Sequence, residues 1–180
     1  MFIYILIAVG VLLAAFLLTA ALKSPDFRVS RTLTIDAPAS AIFPHVNDLH
    51  RWEAWSPYDK RDPSMKRIYE GAESGVGAKY TWDGNSQVGE GMSTIIESRP
   101  NELVKIDLEF RRPFAGTSVA QFQFEPASEQ KTAVTWSLEG KHTFFPRAMG
   151  LIMSMDKMIG GDFEVGLNSL KSVVETKNAN

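Results

Sequence analysis

Glu90 has the strongest claim on chemistry in this sequence. It stands between Gly89 and Gly91, and alternation puts it on the same face as Val88, Met92, Thr94 and Ile96. We read that face as the buried one. A carboxyl taken out of water holds its proton more tightly and can serve as acid, base or ligand anchor. The flanking glycines also permit the opposite outcome, a bulge that turns Glu90 to solvent. No second polar residue on the inward faces is placed to work with it, so no catalytic residue is assigned. His45, His50 and His142 form neither a His-x-His nor a His-Glu-x-x-His pair, and cysteine is absent. No metal site, thiolate nucleophile or disulfide is therefore expected. Ser93 and Ser137 lack a Gly-x-Ser-x-Gly setting, and Gly71, Gly75 and Gly77 fall between strands rather than before a helix. That pattern supports neither a nucleophile elbow nor a phosphate-binding loop, and no cofactor is assigned.

The remaining candidates suit recognition of an apolar body. The strand faces that we assign inward supply Tyr80, Trp82, Phe110, Phe122 and Trp136, and the C-terminal segment supplies Met149, Met153 and Phe163. Trp52 and Trp55, three apart, either stack on a ligand or plug one end of the core. Apolar walls with a few polar groups are typical of small-molecule sites, and methionine adapts its shape to varied ligands. Taken singly, each of these residues is also what a packed core requires. Residues 111–114, Arg-Arg-Pro-Phe, read as a turn between strands. They suit either contact with a membrane or head-group, or a solvated hairpin tip.

The elements that position these residues follow from periodicity. In residues 28–36, Val29, Arg31, Leu33 and Ile35 alternate with Ser30, Thr32 and Thr34, as in a strand. Pro38 suits the first turn of a short helix over 39–46, and a second helical segment over 49–55 ends at Ser56-Pro57. Residues 65–140 repeat strand and turn. Val104, Ile106, Leu108 and Phe110 alternate with Lys105, Asp107, Glu109 and Arg111; Ala120, Phe122 and Phe124 follow, then Val134, Trp136 and Leu138. The connections are hairpin lengths, too short for helical crossovers. From 145 to 177, Met149, Ile152, Met153, Ile159, Phe163, Leu167, Leu170 and Val174 recur at helical steps. Gly160-Gly161 marks either a kink or a close approach to the sheet. The expected fold is α+β: a curved antiparallel sheet gripped by a long C-terminal helix, with two short helices.

Residues 2–22 carry no charged side chain and are rich in Leu, Ile, Val, Ala and Phe. As a helix the run is about 30 Å long, the thickness of a bilayer's hydrocarbon core. It exceeds a signal-peptide core, lacks a basic n-region beyond the α-amino group, and ends in Thr19-Ala20-Ala21, a poor cleavage site. We therefore expect a single-pass membrane anchor at 2–22, a linker at 23–27 stopped by Pro25, and one soluble domain at 28–177. Lys23, Arg28 and Arg31 outweigh Asp26 beside the helix, which favours a cytoplasmic domain. With 19 basic and 21 acidic residues, no strong field points to nucleic acid, and no basic block with interleaved aromatics is present.

The run Asp48-Leu49-His50-Arg51-Trp52-Glu53-Ala54-Trp55-Ser56-Pro57-Tyr58 resembles the two-tryptophan, Ser-Pro-aromatic segment of the polyketide cyclase/dehydrase and lipid-transport family. That family belongs to the START-like, helix-grip superfamily often called SRPBCC. Ile35-Asp36-Ala37-Pro38 is similar to its strand end and helix start, and Val88-Gly89-Glu90-Gly91 with Ile95 and Pro100 to its central hairpin. Met149-Gly150, residues 155–160 and Asp162-Phe163-Glu164 are similar to its C-terminal helix. The resemblance implies a ligand cavity between sheet and long helix, lined by Trp55, Tyr80, Trp82, Glu90, Phe110, Phe122, Trp136, Met149 and Met153. It leaves function open among binding or transfer of an apolar molecule or lipid, a cyclase or dehydratase-like enzyme, and a protein-interaction module of the chaperone-activator type, because a fold does not fix a function.

Overall fold

Helix α1 (Phe2–Leu22) is apolar on every side, and its window Phe2–Thr19 is long and apolar enough to cross a membrane, with none of it buried. The computed structural model describes residues 2–22, 24–141 and 155–178. Strand β1 (Asp26–Ile35) begins three residues after α1 and leads into α2 (Ala39–Asn47), a 3₁₀ helix (Leu49–Ala54) and α3 (Pro57–Arg61). Strands β2 (Lys66–Gly71), β3 (Ala78–Asp83), β4 (Glu90–Arg99), β5 (Leu103–Arg112), β6 (Gly116–Ser128) and β7 (Lys131–Lys141) then precede the long helix α4 (Met155–Asn178). The seven strands form one antiparallel sheet in the order β1-β7-β6-β5-β4-β3-β2.

Three local features bear on the expectations. The stretch before β2 holds three short helices rather than two, because Ser56 and Pro57 start a helix instead of ending one. Ser56 Oγ accepts from the Asp59 amide and Pro57 takes the first turn, where its missing N–H costs nothing. Helix α4 runs unbroken through Gly160-Gly161, so the close-approach reading applies: a Cβ on Gly160 would lie 2.1 Å from the Arg31 guanidinium. The expected helix start at 145, with Met149 and Met153, lies outside the described residues.

The third feature concerns β4. Its inward residues are Gly91, Ser93 and Ile95, all buried, while Ile96 is exposed. The register shifts between Glu90 and Gly91 and again between Ile95 and Glu97. Small residues face inward because their neighbours are large: Gly91 pairs with both Trp82 and Phe110. A Cβ on Gly91 would lie 2.5 Å from Trp82 Cζ2 and 2.5 Å from the Glu109 carbonyl. The Trp82 ring occupies the space that a side chain would fill.

The meander has two distinct ends. At the proximal end, where β1 begins, lie the end of β7, the 112–116 turn and the 83–90 loop. The distal end is sealed by α2: Phe43 meets Phe124 edge-on at 5.7 Å, Ser98 donates to Asn47 at 2.7 Å, and Thr132 donates to the Ala37 carbonyl at 2.8 Å. Toward the proximal end the concave face is less covered, with Phe27, Leu108 and Phe110 half-buried.

Two glycines give opposite expectations. Gly91→Ala forces an overlap with Trp82 and the β5 backbone and should cost about 1–3 kcal/mol in urea unfolding. Gly161→Ala meets no atom within 4 Å and should stabilise the helix by up to about 1 kcal/mol in the same measurement.

Candidate functional site

The concave face carries two runs of aromatic rings. The first lies on β7 and β6 beside α4, which packs along β1. Trp136 stacks on Phe163 of α4 with centroids 4.1 Å apart and planes at 9°, and on Phe122 at 4.9 Å. Trp55 closes the group edge-on to Phe122 and Trp136, with Trp52 beside it. The indoles of Trp52 and Trp55 donate to the carbonyls of Val46 and His45 in the last turn of α2, groups that lack an intrahelical partner. Gly166 lets α4 lie flat here, since a Cβ there would meet the Trp136 ring at 2.7 Å. Trp136 Nε1 is buried with no hydrogen-bond acceptor among the described residues.

The second run crosses β2, β3 and β5. His50 stacks on Tyr69, Tyr69 on Tyr80, and Tyr80 leads to Trp82 and Phe110 at centroid distances of 5.9 Å each. Beneath it is a polar cluster that ties α3 to the sheet. Asp59, buried, accepts from Arg67 Nε at 2.9 Å and from the Tyr80 hydroxyl at 3.4 Å. Arg67 also donates to the Met65 carbonyl at 2.9 Å and pairs with Glu53 at 3.3 Å. Burial, reinforced by the Asp59 charge, holds the Tyr80 hydroxyl well above the ordinary tyrosine range; burial and the Glu53 charge push Tyr69 up to about 12. Tyr80 is therefore a neutral donor at physiological pH. Asp62 is held below the usual carboxylate range by Ser64 and the Asn85 amide, which fixes the 83–90 loop.

Helix α4 is clasped to the sheet by ion pairs. Arg31, inward on β1, donates to Asp156 at 2.7 and 2.9 Å and to Glu164 at 2.6 Å. Arg61 of α3 grips Asp162 through both guanidinium nitrogens and lies 5.6 Å from the Tyr58 ring centroid.

Of the expected wall, Trp55, Tyr80, Trp82, Phe110, Phe122 and Trp136 all share the concave face. Met149 and Met153 fall outside the described residues. Glu90 does not reach that face. It lies outward on β4, bonded to Arg112 Nε at 2.8 Å and near Arg111 at 3.8 Å, so the desolvated-acid reading is corrected. Asp59, Arg67 and Tyr80 as a cluster escape the sequence pattern, since eight residues and a helix end separate the two charged partners. Asp59 does lie one residue beyond the Trp-Ser-Pro-Tyr run. Surface depressions of about 530 Å³ at the start of β1 and about 490 Å³ on the outer side of α4 reach none of these aromatics. No group of three or more His, Asp or Glu residues among the described residues is arranged to hold a metal.

The family model described as polyketide cyclase / dehydrase and lipid transport matches residues 26–175. The chain belongs to this family. No curated protein matches it in sequence. Among solved structures it is similar to the Zhui aromatase/cyclase from Streptomyces sp. R1128, with a TM-score of 0.61 and 13% identity over 83% of this chain and 94% of that one. It is similar to the di-domain aromatase/cyclase StfQ of the steffimycin pathway, with a TM-score of 0.63 and 10% identity over 86% of this chain and 52% of that one. The Aha1 dimer from Colwellia psychrerythraea gives 0.57 and 19% over 83% and 96%. At such identities the likeness establishes the helix-grip fold alone.

The clasp gives a pH expectation. The Arg31 hydrogen bond holds Asp156 below the usual carboxylate range. A depressed folded-state pKa contributes stability above the unfolded value of about 4, and that contribution is lost as pH falls through the folded value. Thermal melting of wild type and Asp156→Asn from pH 6 to pH 3 should therefore show the wild-type advantage shrinking with acid.

Proposed function

We propose that this chain binds an apolar small molecule such as a lipid on the aromatic concave face between sheet and α4, and that α1 anchors it in a membrane. One observation carries the reading: six aromatic side chains from five separated segments line one face that is sealed at its distal end and only half-covered at Phe27, Leu108 and Phe110. Burial of an apolar body there gains about 25 cal/mol per Å². The Trp136 indole, without an acceptor among the described residues, supports a ligand that also carries an oxygen, which would accept from it. Access to Trp136 requires the Phe163 ring to be displaced by the ligand. The uncharged length of α1, fully exposed on the folded domain, supports the anchor, and Lys23 and Arg28 beside it favour a cytoplasmic domain.

Loading is tested by mass spectrometry of apolar molecules that co-purify with the protein, and by titration with a fluorescent fatty acid. Phe110→Ala should weaken that probe about tenfold, the worth of one buried phenyl ring. Absence of any bound apolar molecule and of probe binding would overturn the binding reading. Anchoring is tested separately by retention in the membrane pellet through an alkaline wash.

One observation favours a second, enzymatic reading of the cyclase or dehydratase type: the neutral Tyr80 hydroxyl beside Asp59 and Arg67 is a proton donor on the concave face. Against it, both Asp59 and Arg67 are already engaged by each other. Turnover of a polyketide-like substrate that falls about a hundredfold in kcat with Tyr80→Phe would replace carrier with enzyme.

A further inference from the structure

The proximal end of the sheet has a geometry of its own. Only three residues separate Leu22, the end of α1, from Asp26, so the two Cα atoms are at most about 14 Å apart. The register then fixes which other residues approach that level. Phe27 pairs with Gly140, and Gly140 with Ser118. Asp26, one step further out, is level with Lys141 and with Thr117. Strand β6 continues outward past Thr117 to Gly116, which pairs with Phe110. Phe114, in the turn, is three residues beyond Thr117, at most about 10 Å at the rise of a β-strand. The β5–β6 turn thus overshoots the start of β1 and reaches the level of the linker that joins the domain to α1.

That turn presents an apolar tip on a braced base. Phe114 is 57% exposed. Gly89, at φ 75°, packs the neighbouring loop against it so closely that a Cβ would lie 2.2 Å from the Arg112 carbonyl. Each arginine at this end already faces a carboxylate: Arg28 with Glu139, Arg111 with Glu109, and Arg112 with Glu90 and Asp83. With its arginines neutralised, such a surface meets lipid through the phenyl ring more than through attraction to anionic head-groups.

We infer that the proximal end of the sheet is a second membrane contact, in which Phe114 at the β5–β6 turn enters the lipid interface and directs the half-covered end of the concave face at the bilayer. This rests on α1 being the membrane anchor. The half-buried Phe27, Leu108 and Phe110 lie at the same end of the sheet as Phe114, so the bound molecule would exchange with the bilayer rather than with water. The sealed distal end points away, about 30–40 Å distant along the strands.

The chain has no cysteine, so one introduced thiol is a unique label site. Full-length protein carrying Ala115→Cys or Gln130→Cys, each at an exposed turn position, is labelled with an environment-sensitive fluorophore and reconstituted into phosphatidylcholine vesicles. Flotation with the vesicles after an alkaline wash reads the anchor. Quenching by a lipid-borne quencher reads the contact. The label at 115 should shift to shorter wavelength and be quenched, in high salt as in low, while the label at 130 at the distal end should not. Phe114→Ser in the Ala115→Cys background should remove the shift and the quenching while the protein still floats with the vesicles. Protein that floats but shows equal quenching at 115 and 130, or an effect at 115 that high salt abolishes or that Phe114→Ser leaves unchanged, overturns this contact and leaves the anchor standing. Protein that does not float overturns both.

Discussion

The flat seating of α4 on the sheet governs the rest of the structure. A helix can approach a strand this closely only where it has no side chain in the way, and two glycines provide that. Gly160 leaves space for the Arg31 guanidinium, and Gly166 for the Trp136 ring. Once seated, the helix is held by two kinds of force. The Trp136–Phe163 stack contributes through burial of about 1.5–3 kcal/mol per large side chain, with about 0.5–1.5 kcal/mol more for the ring pair. The Arg31 and Arg61 pairs add direction: partly exposed ion pairs contribute little net energy, but they fix where along β1 and α3 the helix lies.

Much of this was legible in the sequence, and the exceptions have physical causes. The inward faces of β5, β6 and β7 are those that alternation assigned, because Val104, Ile106, Phe122, Phe124, Val134 and Trp136 are large, apolar and opposed by polar residues. On β4 the same rule pointed the wrong way. Its inward positions are Gly91 and Ser93, small residues beside Trp82 and Tyr80, followed by Ile95, while Met92 and Ile96 face outward. Counting apolar residues on one strand cannot detect that the neighbouring strand already fills the layer. Glu90 was misplaced for this reason. The Asp59–Arg67–Tyr80 cluster was hidden for another: its members meet only through the turn from α3 into β2 and the pairing of β2 with β3. Tertiary closure of that kind leaves no spacing to recognise.

The filled state of the concave face bears directly on what binding would involve. Trp55, Phe122, Trp136 and Phe163 are buried against each other, so a ligand reaching them exchanges ring–ring contact for ring–ligand contact. Apolar area gains about the same free energy per Å² from either partner. The exchange is then close to neutral, and the net driving force comes from the ligand's own removal from water. Such a balance suits reversible loading better than tight storage. It also separates the two aromatic runs. The Trp136 group is closed by α4 and opens only if the helix gives way. The Tyr80–Trp82–Phe110 run ends at a half-buried ring.

Sealing at one end and partial cover at the other give the concave face a direction, and β1 converts that direction into a position. A two-sided groove would admit ligand from either end of the sheet wherever α1 lay. Here the distal end is occupied by Phe43 against Phe124 and by Asn47 with its hydrogen bond from Ser98, and the start of β1 sits at the half-covered end three residues from α1. Because the strands are antiparallel and nearly in register, an element tied to the start of β1 is tied equally to the end of β7 and the β5–β6 turn. The short linker therefore constrains more than where the domain is attached. It limits how far the half-covered aromatic surface can lie from whatever environment α1 occupies, to a distance shorter than the sheet itself.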